Sequence, residues 1–311
     1  MDFAGLATKL YKRNRRITDG EKLNRLYQKT RLNVEPSYQL AVVKINSSFL
    51  ESVDRYFDSR GALTFGCIVM LAFCLWLIVG TGGAILGLYY SGEAPLGVSL
   101  GFFVGIVVLC TPLAFWACWM ARRELFRLTY YPIRLNRRDR VIYVYTINGD
   151  IIVVPWDEVF FTLSPCSSMY GKTWDIRGLV LNPDAETVRH EFAFAPWSTN
   201  QDDLRSHWEF LRRYMEDGPA ELVKQIEFCM PVDGKQESFR AGLERVFAGD
   251  TGNSFFYWTM APINAAVACC RWIVMRSCKV PTWPLEIEKA CRVELGDPYA
   301  RDSSTNPPNL R

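Results

Sequence analysis

The sequence predicts an α+β membrane protein: a two-helix transmembrane hairpin, then a small antiparallel sheet, then a set of C-terminal helices. Three observations in the 311 residues lead there. No charged residue occurs from Ala62 to Tyr90, nor from Leu96 to Met120. Beyond Met120 the chain turns β-branched and aromatic in short runs. From residue 199 onward it becomes amphipathic at helical spacing. About 20 apolar residues in a helix cross a hydrocarbon core of roughly 30 Å, so each uncharged run is long enough to span.

In the hairpin, residues 62–120, the polar segment Ser91-Gly92-Glu93-Ala94-Pro95 makes the turn. Gly83 and Gly87 end the first run, and Gly97, Gly101 and Gly105 begin the second at the same four-residue interval. That interval puts them on one face of each helix, where missing side chains let two backbones approach closely in lipid. Two uses fit: the glycines close the hairpin on itself, or a glycine face is left for a second copy of the chain or for another membrane protein. The flanks set orientation. Lys9, Lys12, Arg13, Arg15 and Arg16 lead the basic residues before the first run, Arg122 and Arg123 follow the second, and the turn has no Lys or Arg. The positive-inside rule then places both termini in the cytoplasm, and the same seven basic residues offer a surface patch to anionic head groups. Tyr89, Tyr90, Trp116 and Trp119 fall near the two interfaces. The first apolar run begins only at Ala62, so the reading is of no cleavable signal peptide.

Residues 1–61 read as a basic cytoplasmic arm with amphipathic helices, a collar next to the membrane. Phe3, Leu6 and Leu10 among basic residues suit a short amphipathic helix or a disordered arm, and either can touch a leaflet. Leu23, Leu26 and Tyr27 extend the helical spacing over 19–31, and 38–45 is apolar enough for a strand. Ser48 with Glu51 three residues on, followed by Val53, Tyr56 and Phe57, predicts a capped helix feeding the first span.

Residues 121–217 read as an antiparallel sheet of about five strands with a capping helix. Strands are expected at 125–135, 141–147, 151–163, 173–181 and 187–194. Asn148-Gly149 between apolar runs is a hairpin signal, because both positions accept positive φ. Asn182-Pro183-Asp184 marks a second turn. Thr199 with Asp202, then Leu204, Trp208, Leu211 and Met215 on one face and a stop at Gly218, predicts the helix. A bent sheet covered by such a helix is the plan of pleckstrin-homology-like modules, an architectural analogy that carries no function by itself.

Residues 218–296 read as helical and tryptophan-rich, with Pro219 opening one helix to 226 and a second over 236–248. The stretch 255–275 is apolar, but Pro262, Asn264 and Arg271 sit inside it, and a central Arg costs roughly 3 kcal/mol on the insertion scale. It is therefore read as a helix buried in the protein or abutting the membrane, with Trp258, Trp272 and Trp283 covering apolar surface. The polar tail 297–311 is expected to fray.

Little catalytic chemistry is legible. The net charge of +3 is small and its basic excess lies near the spans, which points to lipid head groups and away from nucleic acid. Ten cysteines with no Cys-x-x-Cys pair suit a reducing compartment. His190 and His207 have no partner at metal-ligand spacing. Asp157-Glu158 and Asp202-Asp203 are adjacent carboxylates, of which strand neighbours point apart and a helix N-terminus simply favours acids. Cys269-Cys270 beside Arg271 are thiols in an apolar helix, a setting that leaves them inert. No nucleophile elbow, phosphate loop or dinucleotide fingerprint appears. The expectation is of no catalytic residue, no cofactor and no metal, in a protein that is neither enzyme nor transporter.

Tyr131-Pro132-Ile133-Arg134-Leu135-Asn136-Arg137, Val154-Pro155-Trp156-Asp157-Glu158 and Pro281-Thr282-Trp283-Pro284-Leu285-Glu286 with Asp297-Pro298 resemble a group of proteobacterial two-span inner-membrane proteins. Those proteins are encoded near type VI secretion and Rhs toxin genes. The resemblance implies a bacterial inner-membrane location and an immunity or accessory role, with a toxin or secretion-system protein as partner. A lipid-responsive scaffold, with membrane lipids as its ligand, is the alternative.

Overall fold

The computed structural model describes residues 14–92, 96–168, 171–248 and 254–308; Lys9, Lys12 and Arg13 lie outside them. Two antiparallel sheets of five strands each pack around one core. The first runs β3 (Val42–Ile45), β4 (Phe49–Ser52), β5 (Ile133–Asn136), β6 (Val141–Tyr145) and β7 (Ile151–Pro155), neighbours in that order. The second is ordered β1 (Arg15–Arg16), β10 (Thr187–Ser198), β9 (Gly171–Leu181), β8 (Phe160–Ser168) and β2 (Arg25–Leu26). The expected Asn-Gly hairpin joins β6 to β7, with Gly149 at φ 90° and its N–H donating to the Thr146 carbonyl. No side chain but glycine's adopts that φ freely, which fixes the turn.

The run expected as one strand over 151–163 is broken at Pro155. A single turn at Trp156–Glu158 carries the chain from the first sheet to the second. Trp156 is fully buried there, stacked on Trp208 at 5.6 Å and tilted against Phe161 at 4.9 Å. Leu50, Ile133, Leu135 and Val144 line the core from one sheet, and Ile176, Phe192 and Phe194 from the other. Helix α4 (Gln201–Glu216) closes the core with Leu204, Trp208, Leu211 and Met215. Its cap is Asn200, whose side chain accepts the Asp202 N–H, one residue later than the expected Thr199.

The N-terminal region departs most from expectation. Helix α1 spans only Asp19–Leu23, closed by a reciprocal Thr18–Glu21 cap, and β2 follows at once. The predicted helix after Ser48 is instead β4 and one turn at Arg55–Phe57. All four residues of β4 are buried, so both faces are apolar or paired and the period of two is lost from the sequence. Glu51 is no cap: it accepts two hydrogen bonds from Arg134, at 2.9 and 2.7 Å. Residues before Ala62 thus supply strands to both sheets.

Helices α2 (Ala62–Ser91) and α3 (Leu96–Glu124) form the antiparallel hairpin and are long and apolar enough to cross a membrane. A helix expected from Pro219 is only a turn at Val223–Gln225. Helices α5 (Phe239–Ala248), α6 (Ser254–Ser277) and the short α7 (Leu285–Ala290) follow. The tail does not fray up to Asn306, which is buried and exchanges two hydrogen bonds with the Cys229 backbone, at 2.8 and 2.7 Å. Such bonds net about 1 kcal/mol each, enough to hold a short polar segment down.

Candidate functional site

The base of the hairpin is where both sheets, both long helices and α6 meet. Glu124, the last residue of α3, is fully buried and accepts from the Gly61 N–H at 2.6 Å, the Thr64 N–H at 2.8 Å and the Thr64 hydroxyl at 2.6 Å. It thereby caps α2, where unpaired N–H groups and the helix dipole favour a negative charge. Arg60, also fully buried, sits beside it with its guanidinium over the Tyr131 ring. Gly61 has φ 92°, and a Cβ there would lie 2.5 Å from the Arg271 backbone, so α6 crosses α2 where only glycine fits. Arg271 pairs with Glu237 at 2.7 Å and donates to the Phe57 carbonyl at 2.7 Å. The buried cation that argued against a third span is therefore a bolt between α6 and the hairpin base.

Further contacts fix the segment leading into α2. Arg55 pairs with Asp175 of β9, Arg245 of α5 pairs with Asp58, and Asp54 accepts the Tyr131 N–H at 2.9 Å. Burial raises the Asp54 carboxyl above its ordinary range, opposed by the nearby Arg60 charge. After α3, Leu128 bridges Lys279 in parallel register, with the Lys279 N–H donating to the Arg127 carbonyl at 2.8 Å. The segments entering α2 and leaving α3 are thus tied to the second sheet, to α5 and to the strand-like stretch after α6.

Above the base, α2 and α3 touch through Cys67, Ala117 and Met120, and Gly82 faces Phe103. Gly83, Gly87, Gly97, Gly101 and Gly105 lie on exposed faces, and a Cβ added at any of them meets nothing within 4 Å among the described residues. The glycines do not close the hairpin; they face away from it. Arg122 is exposed, and Arg123 lies over the Trp119 ring at 3.9 Å. Phe126, 73% exposed, continues that belt.

Arg15 is placed elsewhere. It pairs with Glu21 at 2.6 Å and Glu191 at 3.0 Å, at one end of a buried chain that runs through Arg177 and Asp175 to Arg55. Cys166 lies inside that chain, 2.8 Å from Arg177 and 3.2 Å from Asp175. Burial, then the Asp175 charge, raises its thiol, so it is no activated nucleophile. Three guanidiniums meet three carboxylates there, which locks strands together and leaves no charge for a substrate. Arg16 remains exposed. His207 is fully buried against Phe210, with Nδ1 3.1 Å from the Ser37 carbonyl, and burial holds it down at about 4. Asp157 lies partly exposed between Arg140 and Lys29, and the Arg140 bond lowers it to about 2. An open cleft of about 460 Å³ beside Arg31, Glu35 and Arg213 is shallow, and Arg213 is already engaged by Glu209 at 2.7 Å. Among the described residues no group of three or more His, Cys, Asp or Glu side chains could hold a metal.

Sequence reasoning missed Glu124 and Arg60. The available signal was a lone acid directly after Arg122-Arg123 and a lone Arg directly before the first uncharged run. Residues 110–295, more than half of the chain, match a family of unknown function, DUF6708. The chain belongs to DUF6708. The match spans the second half of α3, the sheets from β5 on and the helices through α7, so it contains Glu124, Arg271 and Glu237. No curated protein and no solved structure matches the chain.

Proposed function

We propose that this DUF6708 protein is an inner-membrane interaction protein with both termini in the cytoplasm. In this reading it serves as an immunity or accessory factor for a secreted toxin of the type VI or Rhs kind. The observation that carries the reading is the outward glycine stripe on α2 and α3, because small residues let a partner's span approach closely in lipid and this hairpin does not use them. The bolted base supports it further: a partner seated against the hairpin is felt by the sheets. The test is a strain lacking the gene, challenged with each toxin encoded beside it. Loss of growth, restored by the wild-type gene, is the expected result; survival of every neighbouring toxin contradicts the immunity reading.

A lipid-responsive scaffold is the second reading. Four strands β4–β7, then three strands β8–β10, then the covering α4, support a pleckstrin-homology-like body, and Arg122, Arg123, Trp119 and Phe126 suit an anionic leaflet. Normal function and an unchanged dependence on anionic lipid after neutralisation of Arg122 and Arg123 would sink it.

A further inference from the structure

We infer that α6 is an in-plane membrane helix whose outward face lies in the cytoplasmic leaflet beside the base of the hairpin. The inference rests on the membrane-anchored reading above. From Ser254 to Met275 the chain carries one charged residue, Arg271, and that residue is fully buried. One side of the helix, with Ala268, Cys270, Val274 and Met275, packs into the protein. The opposite side presents Phe255, Trp258, Pro262, Cys269, Trp272 and Ile273, all exposed. Their spacings of three, four, seven, three and one residues keep them on one arc of a 3.6-residue turn. Phe255 is 81% and Trp258 74% exposed. A helix whose exposed arc is as apolar as its packed side belongs in a core or in lipid, and Trp258, Trp272 and Ile273 of that arc stand 74%, 42% and 48% exposed.

Continuity names the cover. Helix α6 crosses α2 at Gly61, immediately before the uncharged run begins, so the C-terminal part of α6 lies beside the point where the apolar hairpin starts. Arg276 lies over the Trp272 ring at 5.6 Å at the C-terminal end, with Lys279 next to it, and the exposed Arg122 and Arg127 lie at the adjoining end of α3. Tryptophan with basic neighbours is the composition of the head-group layer. Pro262 and Asn264 inside the helix argue for lying in that layer and against crossing it.

The test uses the full chain in nanodiscs of phosphatidylethanolamine and phosphatidylglycerol. Trp258→Phe and Trp272→Phe are compared with wild type, and Trp76→Phe, in the middle of α2, serves as control. The emission lost in each variant reports that tryptophan. The expected result is that Trp258 and Trp272 emission is quenched more by bromine near the glycerol end of the acyl chain than near its methyl end, and is shielded from aqueous iodide. Trp76 should show the reverse depth order. Iodide quenching of Trp258 and Trp272 beside a lipid-quenched Trp76 overturns the inference and leaves the hairpin reading standing. Shielding from both quenchers, which means a protein cover, also overturns it. Stronger quenching by the deep bromine overturns the in-plane placement in favour of a crossing. A Trp76 that bromolipid does not quench removes the membrane reading itself.

Discussion

Neither uncharged run of the hairpin, 62–90 or 96–120, carries a charged side chain, whereas the sheet body and α6 bury Arg134, Arg177, Arg212 and Arg271, each against a carboxylate within 3.0 Å. The hairpin holds its two helices with small and sulfur-bearing side chains and leaves its glycines outside. The body holds its strands with balanced ionic chains. A buried pair discriminates strongly against losing one member while adding little net stability, so these chains fix one arrangement of strands. Glycine faces discriminate by shape alone, and in lipid that is the property a partner span reads. The two regions meet at Glu124, whose carboxylate caps α2.

The sharpest break in that comparison is therefore at Glu124. Glu124→Ala leaves the buried Gly61 N–H and the Thr64 N–H and hydroxyl without their acceptor and uncaps α2, and should lower stability by about 3–5 kcal/mol, seen as a drop in the thermal midpoint in detergent. Arg271→Leu should cost a similar amount, and adding Glu237→Leu should recover most of it, since a well-packed apolar pair replaces a buried ion pair at little cost. An unrecovered double variant would show that Arg271 matters through the Phe57 carbonyl and not through Glu237.

Next in size is a pH effect in the body. His207 is held neutral in the fold down to about 4, while in the unfolded chain it titrates near 6.5. Between those values the unfolded state binds more protons, so stability is full above about pH 6.5 and falls as pH drops toward about 4, by up to about 3 kcal/mol. His207→Phe should flatten that part of the curve of denaturation midpoint against pH. An unchanged slope would assign it to carboxylates instead.

Asp157→Asn removes a partly exposed link to Arg140 and Lys29 and should cost less than about 1 kcal/mol, a loss that salt should mask. The smallest effect belongs to Gly101→Leu, which should leave stability within about 0.5 kcal/mol of wild type, because no described residue comes within 4 Å of a Cβ at that position. A large loss there would mean that the glycines close the hairpin after all.

Where periodicity or absence of charge carried the information, the sequence was legible. The two uncharged runs, the Asn-Gly turn at 148–149, the strands β6, β9 and β10 and the amphipathic α4 stand where the pattern put them. What was hidden shares one cause. The strand β4 is buried on both faces, β1 and β2 are two residues long, and Pro155 turns one apparent strand into two that belong to different sheets. None of these has a local period, because their partners lie up to about 170 residues away in the chain. The same holds for the base of the hairpin. Glu124 and Gly61 are 63 residues apart, Arg271 and Glu237 are 34, and only the fold brings them together. The glycine spacing was visible in sequence, but its direction was not, since a four-residue interval gives a face without saying what that face meets.

If the outward glycine face binds a partner, a bulky side chain on that face removes it. Wild type and Gly101→Leu should be purified in detergent from the native host at native expression, and the accompanying proteins identified by mass spectrometry. The account predicts that a toxin or secretion-system protein comes with wild type and is lost from the equally stable variant. Recovery of the same partner with both proteins, or of only the protein and phospholipid with wild type, would contradict it.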